Sequence, residues 1–238
     1  MFKIKIANLI VEIDNKYDFV KKHCSDYIVD NSLKSDLCVK ASENDIENER
    51  KVALKDFSDG YLESVCIYRN IAYALPKFDA FVLHAAVVRV GDFAYAFSAK
   101  SGVGKSTHIK LWKKLLGDKV SAINGDKPII RIIDNKIYAF GTPWCGKEGY
   151  NSNESAVFKA ICFIERNDKN EIDILNNFDA LKLIMNQVVI PKTTENIESF
   201  LNLLDCTFKN VDVWKLKCNM DISAAELSYN TMKDGKNK

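Results

Sequence analysis

Long apolar runs are missing from this sequence. None of its 238 residues lies in an apolar stretch near the ~18 needed to span a bilayer, so no membrane partner is expected. An excess of one charge is missing too. Lys and Arg number 34 against 32 Asp and Glu, a formal net charge of +2, and the lysines are spread along the chain. That argues against a nucleic-acid surface. Close cysteine pairs are also absent. Cys24, Cys38, Cys66, Cys145, Cys162, Cys206 and Cys218 make an odd set of seven with no C-x-x-C spacing. A thiolate zinc site or a disulfide framework is therefore not expected, and free, mostly buried thiols in a reducing cytoplasm are. No internal repeat or low-complexity tract appears. Residues 1–6 alternate polar and apolar side chains, which reads as a strand and not as the apolar core of a signal peptide.

What is present is ordinary for a globular chain: 47% hydrophobic and 28% charged residues. The length is large for one core and small for two, so a main domain with an appendage is expected. The division falls at residues 1–78, an N-terminal α+β extension, and 79–238, the main domain. In the extension, residues 2–6, 9–13 and 52–54 read as strands and the polar segment 41–50 as a loop. From Gly60 the period becomes helical, with Leu62, Val65, Tyr68, Ala72 and Leu75 on one face and Pro76 as the stop.

The main domain opens with two β-type runs, 81–90 and 93–98, around Gly91-Asp92, a hairpin signal. A glycine-rich loop and a helix over 105–116 follow, the latter with Ile109, Trp112 and Leu116 on its apolar face. A strand over 120–123 ends near Asp126. Residues 129–133 and 136–140 form a second hairpin pattern turned at Asp134-Asn135, and 157–165 with 171–174 a third. The tail reads as a helix over 178–188, a helix over 195–206, a strand over 211–218 and a helix over 223–233. A capping box at Ser223-Ala224-Ala225-Glu226 opens that last helix.

The glycine loop carries the chemistry. Ala99-Lys100-Ser101-Gly102-Val103-Gly104-Lys105-Ser106-Thr107 lies between a strand and a helix, the context a phosphate loop requires. Polyphosphate oxygens are held by converging backbone N–H groups. Gly102 and Gly104 tolerate the positive φ that such a curl needs, and the helix start adds its dipole. Lys105 supplies a charge for the β and γ phosphates, and the Ser106 hydroxyl can ligate Mg²⁺. The usual first glycine is Ala99 here, a small residue that serves if its φ stays negative. The expected ligand is a nucleoside triphosphate, ATP with Mg²⁺; the sequence does not separate ATP from GTP.

Two further residues come from pattern. If Gly91-Asp92 is a two-residue loop, Val90 faces Phe93, and the register carried back sets His84 opposite Ala99. His84 can then contact phosphate or a catalytic carboxylate, or simply pack in a strand. Asp126 lies just past the strand that follows the loop helix. There it can hold Mg²⁺, accept a hydroxyl proton, or serve as a turn residue in Asn124-Gly125-Asp126. In the turn-rich segment 141–149, Lys147 can neutralise phosphate charge. Trp144 can stack on a base or anchor the loop to the core, and Cys145 reads as a passive thiol.

The stretch from Leu83-His84-Ala85-Ala86-Val87-Val88 through Ser101-Gly102-Val103-Gly104-Lys105-Ser106 to Gly125-Asp126 resembles the catalytic domain of HPr kinase/phosphorylase, a family sharing its core with phosphoenolpyruvate carboxykinases. The resemblance covers about residues 80–130. It implies an α/β fold, a mixed-sheet P-loop kinase core of that type beside the small N-terminal extension. It also implies that His84 acts near the γ-phosphate, that Lys105 and Ser106 bind phosphate and Mg²⁺, and that Asp126 is the second of a paired acidic motif. Gly125 replaces the first acid of the pair, and Thr107 stands where the family has Glu. The segment tied to the protein substrate and to phosphorylase activity is not found. The function implied is a cytoplasmic kinase passing the γ-phosphate of ATP to a hydroxyl, such as a serine of a peptide or protein, or a small molecule. The alternative is a catalytically silent ATP-binding sensor or accessory module of a peptide-modification system. A carboxykinase would need a second metal centre and an arginine for the carboxylate, and three histidines with few clustered arginines offer little to build one. Whether the chain forms a homo-oligomer is left open.

Overall fold

The computed structural model describes residues 1–100 and 102–235. Strands β1 (Phe2–Ile6) and β2 (Leu9–Asp14) form an antiparallel pair. Their alternate residues Phe2, Ile4, Ile6, Leu9, Val11 and Ile13 all point into one core, the period-two pattern of a half-buried sheet. Helix α1 (Asp18–His23) follows. Strand β3 (Ile28–Val29) adds beside β1, and β4 (Leu37–Lys40) runs parallel to β2, giving the order β3-β1-β2-β4. Helices α2 (Glu43–Val52) and α3 (Asp59–Ala74) complete this part.

Helix α2 corrects two expectations, a loop over 41–50 and a strand over 52–54. The signal lies in its ends. The Ser42 hydroxyl accepts from the Asp45 amide at 3.1 Å while the Asp45 carboxylate accepts from the Ser42 amide at 2.9 Å. Acidic residues occupy the first turn and Arg50 and Lys51 the last. Only Ile46 is buried along α2, so no apolar stripe advertised it, and Leu54 beyond it is 99% exposed. In α3 the fully buried Glu63 carboxylate accepts the backbone amides of Lys16 (2.6 Å) and Tyr17 (2.9 Å), tying the start of α1 to α3.

The larger sheet is built from β5 (Ala80–Val82), β6 (Ala86–Val90), β7 (Phe93–Ser98), β8 (Val120–Asn124), β9 (Ile129–Ile133), β10 (Lys136–Phe140), β11 (Ser155–Arg166), β12 (Glu171–Ile174) and β13 (Asp212–Cys218). Helix α4 (Lys105–Leu116) follows β7. Helices α5 (Asn177–Ile184) and α6 (Thr194–Asn210) precede β13, and α7 (Ile222–Asp234) follows it. The main path runs β5-β9-β10-β11-β7-β6-β8, with β13 parallel to the second half of β11 and β12 on the far side of β13.

Alternation along β7 divides the core into two layers. Ala94 and Ala96 face α5 and α6, through Ile184, Phe200 and Leu204. Tyr95 and Phe97 face α4 and α7, through Ile109, Trp112 and Ala225. The molecule is thus a mixed α/β structure with helices on both faces of a mixed sheet. A third cluster joins the smaller sheet to the larger, packing Ile4 and Ile6 with Val82, Ile129 and Phe140. Arg131 Nη1 donates to the Ala7 carbonyl at 2.6 Å and the Tyr27 hydroxyl to the Ser152 carbonyl at 3.0 Å across the same seam. Among the described residues no helix is long and apolar enough to cross a membrane.

Four further expectations are corrected. Residues 81–90 are not one strand: β5 pairs with β9, and the chain bends at 83–85 before β6 pairs with β7. The hairpin register itself runs from Val90↔Phe93 to Ala86↔Phe97. Strands β11 and β12 are not a hairpin, because β13 inserts between them, a long-range pairing that local turn chemistry cannot announce. Helix α5 stops at Ile184, and Val188 instead bridges to Leu83. Finally, α7 starts after Asp221, with no side-chain cap; the Ser223 hydroxyl accepts from Asn170 Nδ2 at 3.0 Å.

After β10 the chain turns at Gly141, where an added Cβ would lie 1.8 Å from the Ser152 carbonyl oxygen and 2.8 Å from that of Ile123. Both obstacles are backbone and cannot swing aside. Gly141→Ala is expected to destabilise the protein by roughly 3 kcal/mol or prevent folding, read as a lower urea midpoint or loss of soluble protein.

Candidate functional site at the carboxyl edge of the sheet

Strand directions decide which residues meet. Strand β6 is antiparallel to both β7 and β8, and β11 and β13 run parallel to β7. The carboxyl ends of β8, β7, β11 and β13 therefore share one edge, and β6 begins there. In open α/β sheets this edge is where ligands bind. It gathers Asp126 after β8, His84 before β6, the glycine loop after β7 and Arg166 at the end of β11.

The loop from Ala99 to Gly104 leads directly into α4. Gly102 has φ +79° and Gly104 φ +137°, while a Cβ on either would meet nothing within 4 Å. Backbone conformation, not space, requires glycine at both. The Val103 amide donates to the Lys100 carbonyl at 3.2 Å. Ser101 lies outside the described residues. Helix α4 has Gly104 as its N-cap and no side-chain cap. Its first turn thus presents backbone donors and the positive end of the helix dipole.

Arg166 grips this loop from outside. Its Nε donates to the Val103 carbonyl at 2.9 Å and its Nη2 to the Gly102 carbonyl. The sequence reading missed Arg166. The only signal was its place at the end of a strand, whose position beside β7 depends on long-range pairing.

Inside the edge, three side chains converge. His84 Nε2 is 2.9 Å from Asp126 Oδ1, and Lys105 Nζ is 3.2 Å from the same nitrogen and 3.3 Å from the Ala99 carbonyl oxygen. The β6–β7 ladder stops at Ala86↔Phe97, but the segment before it stays in place. The Ser98 hydroxyl donates to the His84 carbonyl (2.9 Å), and the His84 amide donates to the Gln187 carbonyl (2.6 Å). The Ala85 amide donates to the Asp126 carbonyl (3.1 Å), which locks the two arms together.

The Asp126 carboxylate is held by Oδ1 against His84 and by Oδ2 against Lys127 Nζ, 2.8 Å away. Burial alone pushes its pKa up. The hydrogen bonds from His84 and Lys127 and the Lys127 charge outweigh burial and hold it well below the ordinary carboxylate range. Asp126 is therefore ionised and can only accept, so the proton between it and His84 sits on Nε2. Lys105 cannot then donate to that nitrogen, which leaves the Ala99 carbonyl as its acceptor among the described residues. Burial lowers the Lys105 pKa, and Asp126 and Glu148 nearby pull the other way.

The other expected residues are more scattered. Ser106 occupies the second position of α4 and is half-buried, whereas Thr107 is exposed and lines a cavity that His84 does not. Lys147 is exposed in the bend 146–149. Trp144 anchors rather than stacks openly: its Nε1 donates to the Ser64 hydroxyl at 3.0 Å and its ring lies 5.5 Å from Tyr68. Cys145 is buried, which raises its pKa and leaves a passive thiol. Gly125 now has a steric reason, because a Cβ there would lie 2.4 Å from the Cys145 carbonyl oxygen. No acid fits at this position while segment 141–149 folds over it.

Two cavities flank the glycine loop on either side of Arg166. One, of about 580 Å³, lies toward Thr107, Leu111 and Asn219; the other, of about 590 Å³, toward Ala99, Lys100 and Gln187. His84, Lys105 and Asp126 line neither, although the second is walled by Ser98 and Gln187, whose atoms bond to the His84 backbone.

No family model matches the sequence, and no curated protein matches it. Among solved structures the chain is similar to the HPr(Ser) kinase/phosphatase from Coxiella burnetii. The likeness covers 63% of this chain and 94% of that one, at 8% identity and a TM-score of 0.33. So distant a likeness is one of fold at most and carries no functional argument.

The depressed pKa of Asp126 has a stability consequence with a definite sign. A carboxylate stabilised in the folded state contributes above the unfolded value of about 4, and the contribution is lost as pH falls through the lower folded value. Asp126→Asn removes it. In urea titrations, the stability gap between wild type and this variant is expected to be constant from pH 7 to about 5 and to shrink below about 4. A gap that widened on acidification would contradict the assignment.

Proposed function

We propose that this chain is an ATP-dependent phosphotransferase that binds Mg-ATP on the loop from Ala99 to Thr107 and passes the γ-phosphate to a hydroxyl, such as a serine of a peptide or protein. The observation that carries the proposal is the His84–Asp126 pair at 2.9 Å with Lys105 beside it, at the junction of a positive-φ glycine loop and a helix start. A half-buried lysine with one carbonyl acceptor and uncapped helix amides suit a polyphosphate. An ionised carboxylate fixing one nitrogen of an imidazole suits proton transfer at the other.

In this reading the acceptor oxygen attacks the γ-phosphorus, the bond to the β,γ-bridging oxygen breaks, and its electron pair leaves with ADP. The hydroxyl proton passes to His84 Nδ1, since Nε2 already carries the proton shared with Asp126. Asp126 sets the tautomer and stabilises the imidazolium, a role that agrees with both its oxygens being engaged. Lys105 neutralises charge on the transferring group, and catalysis rests on positioning and electrostatics. Ser106 and Asp126 would hold Mg²⁺, which would supply further charge neutralisation.

The sensor reading draws support from Gly125, where no second acid can be housed. The two readings separate by assay. Lys105→Ala is expected to weaken Mg-ATP binding by about 10- to 100-fold, the loss of charge-assisted hydrogen bonds. His84→Ala and Asp126→Asn should retain binding while γ-phosphate transfer, followed by mass spectrometry over a panel of hydroxyl acceptors, falls by about 10²- to 10⁴-fold. Stoichiometric ATP binding with no transfer by the wild type would establish the sensor. Full transfer by Asp126→Asn would remove the dyad from the mechanism.

A further inference from the structure

The reacting end of the site is asymmetric. His84 and Asp126 come from the β6 and β8 side of the glycine loop, and Lys105 turns toward them. A triphosphate lying along the loop with its γ end there must send its other end the opposite way, over the first turns of α4 toward the carboxyl ends of β11 and β13. A cavity of about 580 Å³ lies on that path, bounded by the loop, by Thr107 and Leu111 of α4, and by the turns after β11 and β13. That volume falls in the ordinary range of small-molecule sites.

Its walls suit a flat heterocycle on a sugar. Leu111 and Ile164 give an apolar inner side, and Met220, 77% exposed, projects a flexible thioether from the opposite turn. Asp168 at the rim offers a carboxylate, which only accepts, for hydroxyl or amino donors. The two turns are bound to each other. The Asn219 amide donates to Asn170 Oδ1 at 2.9 Å and Asn219 Nδ2 to the Asp168 carbonyl at 3.2 Å, while within the second turn the Asp221 amide donates to Asn219 Oδ1 at 3.0 Å. The rim is thus held in shape by hydrogen bonds independent of any ligand.

We propose that this cavity seats the nucleoside of the bound nucleotide, with the base between Leu111 and Met220 and Asp168 receiving donors from the ribose or base. The proposal rests on the phosphate-binding reading above and adds the direction in which the nucleotide lies.

Calorimetric titration of the full chain with Mg-ATP and with inorganic tripolyphosphate plus Mg²⁺ tests both layers separately. Wild type is expected to bind Mg-ATP about tenfold or more tighter than tripolyphosphate. The double variant Met220→Ala/Asp168→Ala, at exposed positions outside the core, should lose that advantage and leave tripolyphosphate affinity unchanged. Met220→Leu, alone, should retain it. Equal affinity for the two ligands in wild type, or an ATP affinity untouched by the double variant, overturns the nucleoside seat while leaving the phosphate loop standing. Failure of wild type to bind either ligand overturns the phosphate-binding reading and this proposal with it.

Discussion

The hydrogen bond between His84 Nε2 and Asp126 Oδ1 joins two chain segments that the sheet brings to one edge, and the rest of the site is organised around it. It decides where a proton sits, it keeps Asp126 ionised, and it denies Lys105 an acceptor on the imidazole. None of this would hold if the segment before β6 were free to move. That segment is fastened on both sides, to Gln187 through the His84 amide and to Asp126 through the Ala85 amide, so the dyad is held by backbone bonds as well as by its own. Backbone support of this kind is what pre-organised chemistry needs, because a misplacement of about 1 Å costs rate far out of proportion.

The same edge explains the glycines. Gly102 and Gly104 are required by conformation, with open space around them, whereas Gly125 and Gly141 are required by close approach of backbone. The two kinds do different work. The first pair shapes the loop, and the second lets segment 141–149 pack down beside Asp126. Glycine at position 125 is therefore coupled to that packing: a Cβ there would lie 2.4 Å from the Cys145 carbonyl oxygen.

What the sequence revealed depended on how local the cause was. The loop, its helix and the β6–β7 register follow from adjacent residues, so carrying Val90↔Phe93 backward led to His84 even though the ladder ends two residues short of it. The hairpin at Asp134-Asn135 was equally legible, both residues taking positive φ. What escaped was set by distance. Insertion of β13 between β11 and β12 brings residues some fifty positions apart into register, and Arg166 acquires its role only through the pairing of β11 with β7. Helix α2 escaped for the opposite reason, since its cause is local but lies in a capping box and not in apolar spacing.

Arg166 also bears on how the two flanking cavities relate. Its guanidinium engages the outward carbonyls of Gly102 and Val103, so the amides of the same peptide units are held facing away from it. One side chain thereby orients the loop and divides the spaces beside it. Arg166 lines both cavities and also holds the Gly102 and Val103 carbonyls, so the loop and the two cavity walls share one side chain.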